Sequence, residues 1–96
     1  MIFKFIWRIK MMKVILNINK YNPHSGIILN WEENYKIEIN EEHGETVISA
    51  NKEGLLSLAN HFANLAQDDI PVGSHIHLDQ YNSLEEGSCD VIVQKI

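Results

Sequence analysis

The chain has 96 residues, one cysteine and a formal net charge of −5. This length predicts one small domain spanning 1–96. The composition, in which 45% of the residues are hydrophobic and 22% are charged, excludes a disordered chain. The single Cys89 excludes an internal disulfide, so we expect a reducing, cytoplasmic location.

The charge is distributed unevenly along the sequence. Residues 14–96 contain four basic and all thirteen acidic residues, a net charge of −9. A nucleic-acid-binding protein needs a basic surface to contact phosphates, so we expect no nucleic-acid partner. An acidic surface does suit a basic protein partner.

The first segment, "MIFKFIWRIKMMKVILNI", is similar to a signal peptide, but its basic residues interrupt every apolar run. No stretch approaches the ~18 apolar residues of a membrane span, and we expect no membrane partner. Residues 1–12 are interpreted either as a lead extraneous to the domain or as part of a first strand.

Strand-type alternation then follows in three segments, "MKVILNIN", "GIILNWE" and "YKIEIN". A three-residue loop at 32–34, with Asn34 left-handed, sets Trp31 opposite Tyr35. The next hairpin is predicted to turn at 43–44. That turn sets Ile39 opposite Ile48, and residue 37 opposite residue 50.

The spacing changes from strand to helix over 51–67. Asn51 is a suitable N-cap, and Pro71 follows the end. Gly54 in the first turn indicates close packing against the sheet. The apolar residues at helical spacing predict the core-facing side: Leu55, Leu58, Ala59, Phe62, Leu65 and Ala66.

The opposite side of this helix is polar but uncharged at neutral pH. It is interpreted either as a neutral solvent-facing side or as a contact surface whose groups lose water more readily than charges do. Its members are Ser57, Asn60, His61, Asn64 and Gln67.

Two further strands, "SHIHLD" and "CDVIVQK", complete the prediction, with Leu78 opposite Val91 and Ile76 opposite Val93. The predicted fold is α+β: a single antiparallel β-sheet of five to six strands with one long α-helix packed on one face. Cys89 is expected in the core as a small apolar residue. The helix residues Leu55, Leu58, Phe62 and Leu65 are expected to meet sheet residues Leu29, Trp31, Ile37, Ile39, Ile48, Ile76, Leu78, Val91 and Val93.

His75, His77 and Asp79 share one face of the first of these strands. Two imidazoles and a carboxylate suit zinc, but the pattern also occurs on any half-exposed strand. No third strong ligand, nucleophile elbow or Gly-rich phosphate loop accompanies them. We therefore assign no catalytic residue, metal or cofactor. A small metal-dependent hydrolase using these three residues is the alternative.

The stretches "ISANKEGLLSLANHFANLAQ" and "PVGSHIHLDQYNSLEEGSCDVIVQK" resemble a family of bacterial immunity proteins, the one catalogued as immunity protein thirty-two. The resemblance covers residues 48–95 and is most specific from Gly73 to Asp79 and in "LEEGS". It implies a non-enzymatic, cytoplasmic protein that binds the cognate toxin of a polymorphic toxin system.

On this resemblance, the partner-binding residues are His75, His77, Asp79, Glu85 and Glu86. Unpaired sheet edges and the neutral helix side also favour a homodimer over a monomer.

Overall fold

The computed structural model describes residues 10–96. Within this range the order of elements is β1 (Ile37–Glu42), β2 (Glu45–Ala50), α1 (Lys52–Leu65), β3 (His75–Leu78) and β4 (Val91–Gln94). β1 pairs with β2 and β3 pairs with β4, each antiparallel, in two separate two-stranded sheets. The prediction of one sheet with five to six strands is therefore wrong, although one helix with antiparallel strands is still an α+β arrangement.

Both predicted hairpin registers are confirmed. Ile39 pairs with Ile48 across the first hairpin, and Ile76 pairs with Val93 across the second. His43 and Gly44 both adopt positive φ, 53° and 80°, which is the conformation that a two-residue hairpin turn requires. Turn chemistry and apolar alternation together account for the first pairing, and apolar alternation alone predicts the second, whose strands are joined by the long loop 79–90.

The segments "MKVILNIN" and "GIILNWE" form no strands, contrary to the prediction. Only the turn between them is regular, with a bridge between Asn22 and Gly26. The two arms are tied by a side chain instead: Asn30 Nδ2 donates to Asn17 O at 3.2 Å and to Asn19 Oδ1 at 2.9 Å. The first of these bonds occupies the backbone carbonyl of Asn17, which a β-ladder would need. The predicted strand contribution of residues 1–9 lies outside the described residues.

The junction between this segment and β1 follows the prediction closely. Asn34 has φ of 62°, and the rings of Trp31 and Tyr35 stack with centroids 4.5 Å apart. The N-cap is also confirmed, because Asn51 Oδ1 accepts from Gly54 N at 2.8 Å. The same oxygen accepts from Lys36 N, so this cap joins the helix to the start of β1.

Helix α1 is rotated about its axis relative to the prediction, so that only part of the predicted face is buried. Leu58 and Leu65 are buried, but Leu55 is 56% exposed and Phe62 is 48% exposed. The buried side instead includes four of the five uncharged polar residues: Ser57, Asn60, His61 and Asn64. The interpretation of this side as solvent-facing is therefore wrong, and the contacts observed for it lie within the chain.

The polar side of α1 binds the backbone of the irregular segment. Asn60 Nδ2 donates to Asn17 O at 2.8 Å, and Asn64 Nδ2 donates to Ile28 O at 2.6 Å. Ser57 Oγ accepts from Glu32 N at 2.9 Å. A backbone without ladder partners must find other hydrogen bonds, and this row of side chains supplies them.

The core lies between α1, β1, β3 and the loop that precedes β4. It consists of Ile37, Ile39, Leu58, Leu65, Ile70, Ile76, Leu78 and Leu84. Leu29, Trp31, Val91 and Val93 pack against it as partly buried residues, in agreement with the prediction. Ile48 is half exposed and Cys89 is exposed rather than buried, so both expectations are wrong.

Candidate functional site

Alternate residues of strand β3 are buried and exposed, as the alternation of apolar and polar residues predicted. Ile76 and Leu78 are buried at 5% and 3% exposure, while His75 and His77 are exposed. His77 Nε2 lies 3.9 Å from Asp79 Oδ2 and 4.0 Å from Asp90 Oδ2. The structure therefore brings His77 and two carboxylates together. His75 does not join them, and its Nδ1 lies 3.5 Å from Gly73 O.

Two of the three side chains in this grouping are open to solvent, and the third, Asp79, is 20% exposed. His77 is half exposed and Asp90 is 70% exposed, so any ion pair between them is screened by water and contributes little to stability. Among residues 10–96, no group of three or more His, Cys, Asp or Glu side chains is placed to share a metal ion. The expectation that the purified protein holds no metal stays a prediction.

The loop at residues 79–90, here called the acidic loop, begins with a dense turn around Asp79. Asp79 Oδ1 accepts from Tyr81 N at 2.8 Å and from Asn82 N at 3.0 Å. Asn82 Oδ1 accepts from Asp79 N in return, and Asn82 Nδ2 donates to His77 O. Asp79 therefore fixes the loop geometry in addition to carrying charge.

The second half of the acidic loop is fastened along the free edge of β1. Glu85 N donates to Ile37 O at 2.9 Å, and Cys89 N donates to Ile39 O at 2.7 Å. Ser88 Oγ accepts from Ile39 N at 3.2 Å, and Leu84 is buried beneath the loop. These bonds satisfy an unpaired strand edge and hold the loop in one conformation.

Two residues of the acidic loop were missed as candidate partner contacts. Tyr81 is 89% exposed, and the exposed Asp90 lies beside His77. Asp90 could have been found from the sequence, because the alternation of the last strand places it on the same polar face as His75 and His77. Tyr81 has no such sequence signal, because it lies in a loop, where no periodic alternation indicates which side chains are exposed. Of the proposed residues, Glu86 is exposed and Glu85 is half buried.

His61 is the histidine with the most unusual environment. It is 1% exposed and makes an edge-to-face contact with Trp31, with ring centroids 4.1 Å apart. Neither ring nitrogen has a hydrogen-bond partner among the described residues. Burial lowers its pKa from 6.5 to about 4, so the ring is neutral near pH 7. Its burial keeps it from contacting a substrate.

None of the helical segments among residues 10–96 is long and apolar enough to cross a membrane. The fold and the acidic loop thus define a small α+β chain with an ordered, negatively charged surface beside exposed histidines. A profile of the family described as Immunity protein 32 matches residues 45–96, just over half of the chain. The chain belongs to this family, which confirms the resemblance and indicates an immunity role. Neither a curated protein nor a solved structure matches the chain.

Proposed function

We propose that this protein neutralises a cognate bacterial toxin by binding it through the acidic loop and the adjacent face of β3. The contact residues are His75, His77, Asp79, Glu85 and Glu86, extended by Tyr81 and Asp90. The observation that carries this proposal is the fixed presentation of acidic side chains on a loop bonded to β1 at Ile37 and Ile39. Family membership supplies the immunity role.

The charge of the chain supports a basic partner surface. Residues 14–96 carry a net charge of −9, and the acidic loop adds its carboxylates to those of Glu38, Glu41 and Glu42 on the neighbouring strand β1. Opposite charge on two proteins accelerates their encounter and disfavours wrong partners. Binding should therefore weaken with added salt, because the acids are exposed and screened.

The order of the loop supports binding without rearrangement. A loop that is already held by backbone hydrogen bonds loses little conformational freedom on association, so more of the contact free energy is retained. Tyr81 adds an exposed aromatic ring of the kind that dominates protein interfaces. We expect it to be an anchor at the centre of the contact.

The same geometry favours binding over catalysis. His77 is half exposed and Asp90 is 70% exposed, so these groups lack the exclusion of water that strengthens acid–base groups in active sites. Among residues 10–96, the hydrogen bonds to the Asp79 carboxylate come from backbone N–H groups and not from a Ser, Thr or Cys side chain. In this proposal the immunity role requires only binding of the toxin and no catalysis. We infer that the protein covers a toxin surface in the producer's cytoplasm and requires no cofactor.

The test is co-expression with the toxin encoded beside this gene, followed by binding measurements on the purified pair. Glu85→Lys with Glu86→Lys should abolish protection and weaken binding, and binding of the unmodified protein should fall with salt. Glu32→Lys with Glu33→Lys is the matched control. It makes the same change of charge at two adjacent exposed residues in the turn before β1, outside the acidic loop, and should retain protection.

The outcomes separate the parts of the proposal. A toxin that stays lethal while this protein is abundant and folded would show that the immunity role does not extend to that toxin. If the double variant Glu85→Lys with Glu86→Lys still protects the cell, the immunity role is supported but the acidic loop is not the toxin contact. Equal loss in the control pair would show that overall charge, and not the loop, is responsible.

A further inference from the structure

Helix α1 carries an apolar stripe that the other residues of the described range, 10–96, leave exposed. Its two large members are Leu55, 56% exposed, and Phe62, 48% exposed, and between and beyond them lie the exposed Ala59 and Ala66. The spacing of four, three and four residues keeps the stripe straight along one side of the helix. It spans about 16 Å at 1.5 Å per residue.

The stripe is complementary to itself when a second copy is placed antiparallel to the first. Large and small residues alternate along it, so an antiparallel partner opposes Leu55 to Ala66 and Phe62 to Ala59. Each large side chain then meets a small one, and the helices can approach closely. A parallel partner would instead oppose like to like, with Phe62 against Phe62.

A groove next to the stripe fits this arrangement. Phe62, Ala66 and Val93 are among the residues that line a shallow, apolar groove of about 210 Å³ beside the end of α1. Ala66 is the residue that an antiparallel partner places opposite Leu55. The groove therefore offers the partner's Leu55 an apolar site at each end of a symmetric pair.

The charges at the two ends of the stripe favour the same orientation. Lys52 begins the helix and is exposed, while Asp68 and Asp69 follow its last turn and are exposed. Two antiparallel copies bring the lysine of each chain opposite the aspartates of the other. Two parallel copies would bring lysine to lysine and aspartate to aspartate, which is repulsive.

We propose that a second copy of this chain occupies the stripe, giving a two-fold symmetric dimer through antiparallel α1 helices. A closed pair of this kind is the commonest assembly of soluble proteins, and the contact is isologous. Because a single helix contact buries less than a standard interface, we expect a dimer that dissociates on dilution. None of the residues of the stripe or of the groove belongs to the acidic loop, so the inference does not depend on the toxin partner.

The first experiment is sedimentation or light scattering of the full chain over a wide range of concentrations. We expect the mass to rise from the 11.1 kDa monomer to twice that value. Leu55→Asp should remain monomeric at concentrations where the unmodified protein is dimeric. Ile92→Asp is the matched control, because Ile92 is 59% exposed on β4 outside the stripe, and it should dimerise normally. Circular dichroism and a urea midpoint verify that both variants fold.

Charge reversal then tests the orientation. Lys52→Glu alone, or Asp68→Lys with Asp69→Lys alone, should weaken the dimer roughly tenfold. All three changes in one chain should restore it, and mixing the two weakened variants should also restore it. A parallel pair predicts no loss in the separate variants.

A mass of one chain at every concentration would overturn the proposal. So would dimers that persist in Leu55→Asp, or loss in Ile92→Asp to the same extent. A stripe that is covered only when toxin is added would reject the second copy in favour of that partner.

Discussion

The buried His61 makes the stability of this protein depend on pH in a way that can be calculated. The ring is 1% exposed, and its nitrogens have no hydrogen-bond partners among the described residues. Neither of the salt bridges found in residues 10–96 involves it. Burial alone therefore lowers its pKa from 6.5 to about 4.

The sign follows from which state binds the proton first. The folded pKa lies below the unfolded value, so the unfolded chain takes up the proton as the pH falls through 6.5. The stabilising contribution of neutral His61 is complete above that pH. It declines as the pH falls toward the folded pKa of about 4 and is lost below it. The difference between the two pKa values corresponds to about 3.4 kcal/mol in all, of which about 2 kcal/mol is lost by pH 5.

The assay is urea unfolding at a series of pH values between about 7.5 and 5, with the free energy extrapolated to water. The variant His61→Phe retains a ring against Trp31 but cannot be protonated. The informative quantity is the difference between the unmodified protein and the variant, because contributions that the two proteins share cancel in it. That difference should shift by about 2 kcal/mol in favour of the variant across the range.

The matched control is His75→Phe, which makes the same substitution at an exposed position. Its free energy of unfolding should follow the pH profile of the unmodified protein. Parallel profiles for the unmodified protein and His61→Phe would refute the reasoning, because they would mean that His61 is accessible to a proton in the folded state.

Three further outcomes test the packing and the site. Gly54→Ala should lower the free energy of unfolding by about 2 kcal/mol, because an added Cβ would collide with Lys36 O and lie 2.9 Å from Ile37 Cγ1. A variant that is more stable than the unmodified protein in urea titration would disprove this close approach. Phe62→Ala should cost about 1.5 kcal/mol or less in dilute solution, whereas Leu58→Ala should cost about 2–5 kcal/mol, and equal losses would contradict the observed rotation of α1. Elemental analysis after gentle purification should find no stoichiometric transition metal; one zinc per chain, lost in His75→Ala, would instead support a metal-dependent hydrolase.

Several features of the structure could be predicted from the sequence because the interactions that determine them are local. The hairpin at His43 and Gly44 follows from residues that tolerate positive φ, and the pairing of Ile39 with Ile48 follows from that turn. The N-cap at Asn51 and the close packing at Gly54 follow from side-chain size and hydrogen-bonding capacity a few residues apart. The same holds for the strand β3, whose alternation alone placed the histidines outside and Ile76 inside.

The candidate site was only partly predictable. Alternation placed His77 and Asp79 on one face, but it could not show that Asp90 approaches them or that His75 does not. The order of the acidic loop depends on hydrogen bonds to Ile37, about fifty residues earlier in the chain. Such contacts leave no periodic signal in the sequence.

Tertiary structure decided which side of α1 is buried. Apolar spacing predicted that Leu55 and Phe62 would face the core. Such a prediction does not take into account that a side-chain amide can be buried when it donates a hydrogen bond to a backbone carbonyl. The irregular segment before β1 has carbonyls without ladder partners, and Asn60 and Asn64 bind two of them. Burying the polar side satisfied this backbone, and it left the apolar stripe exposed.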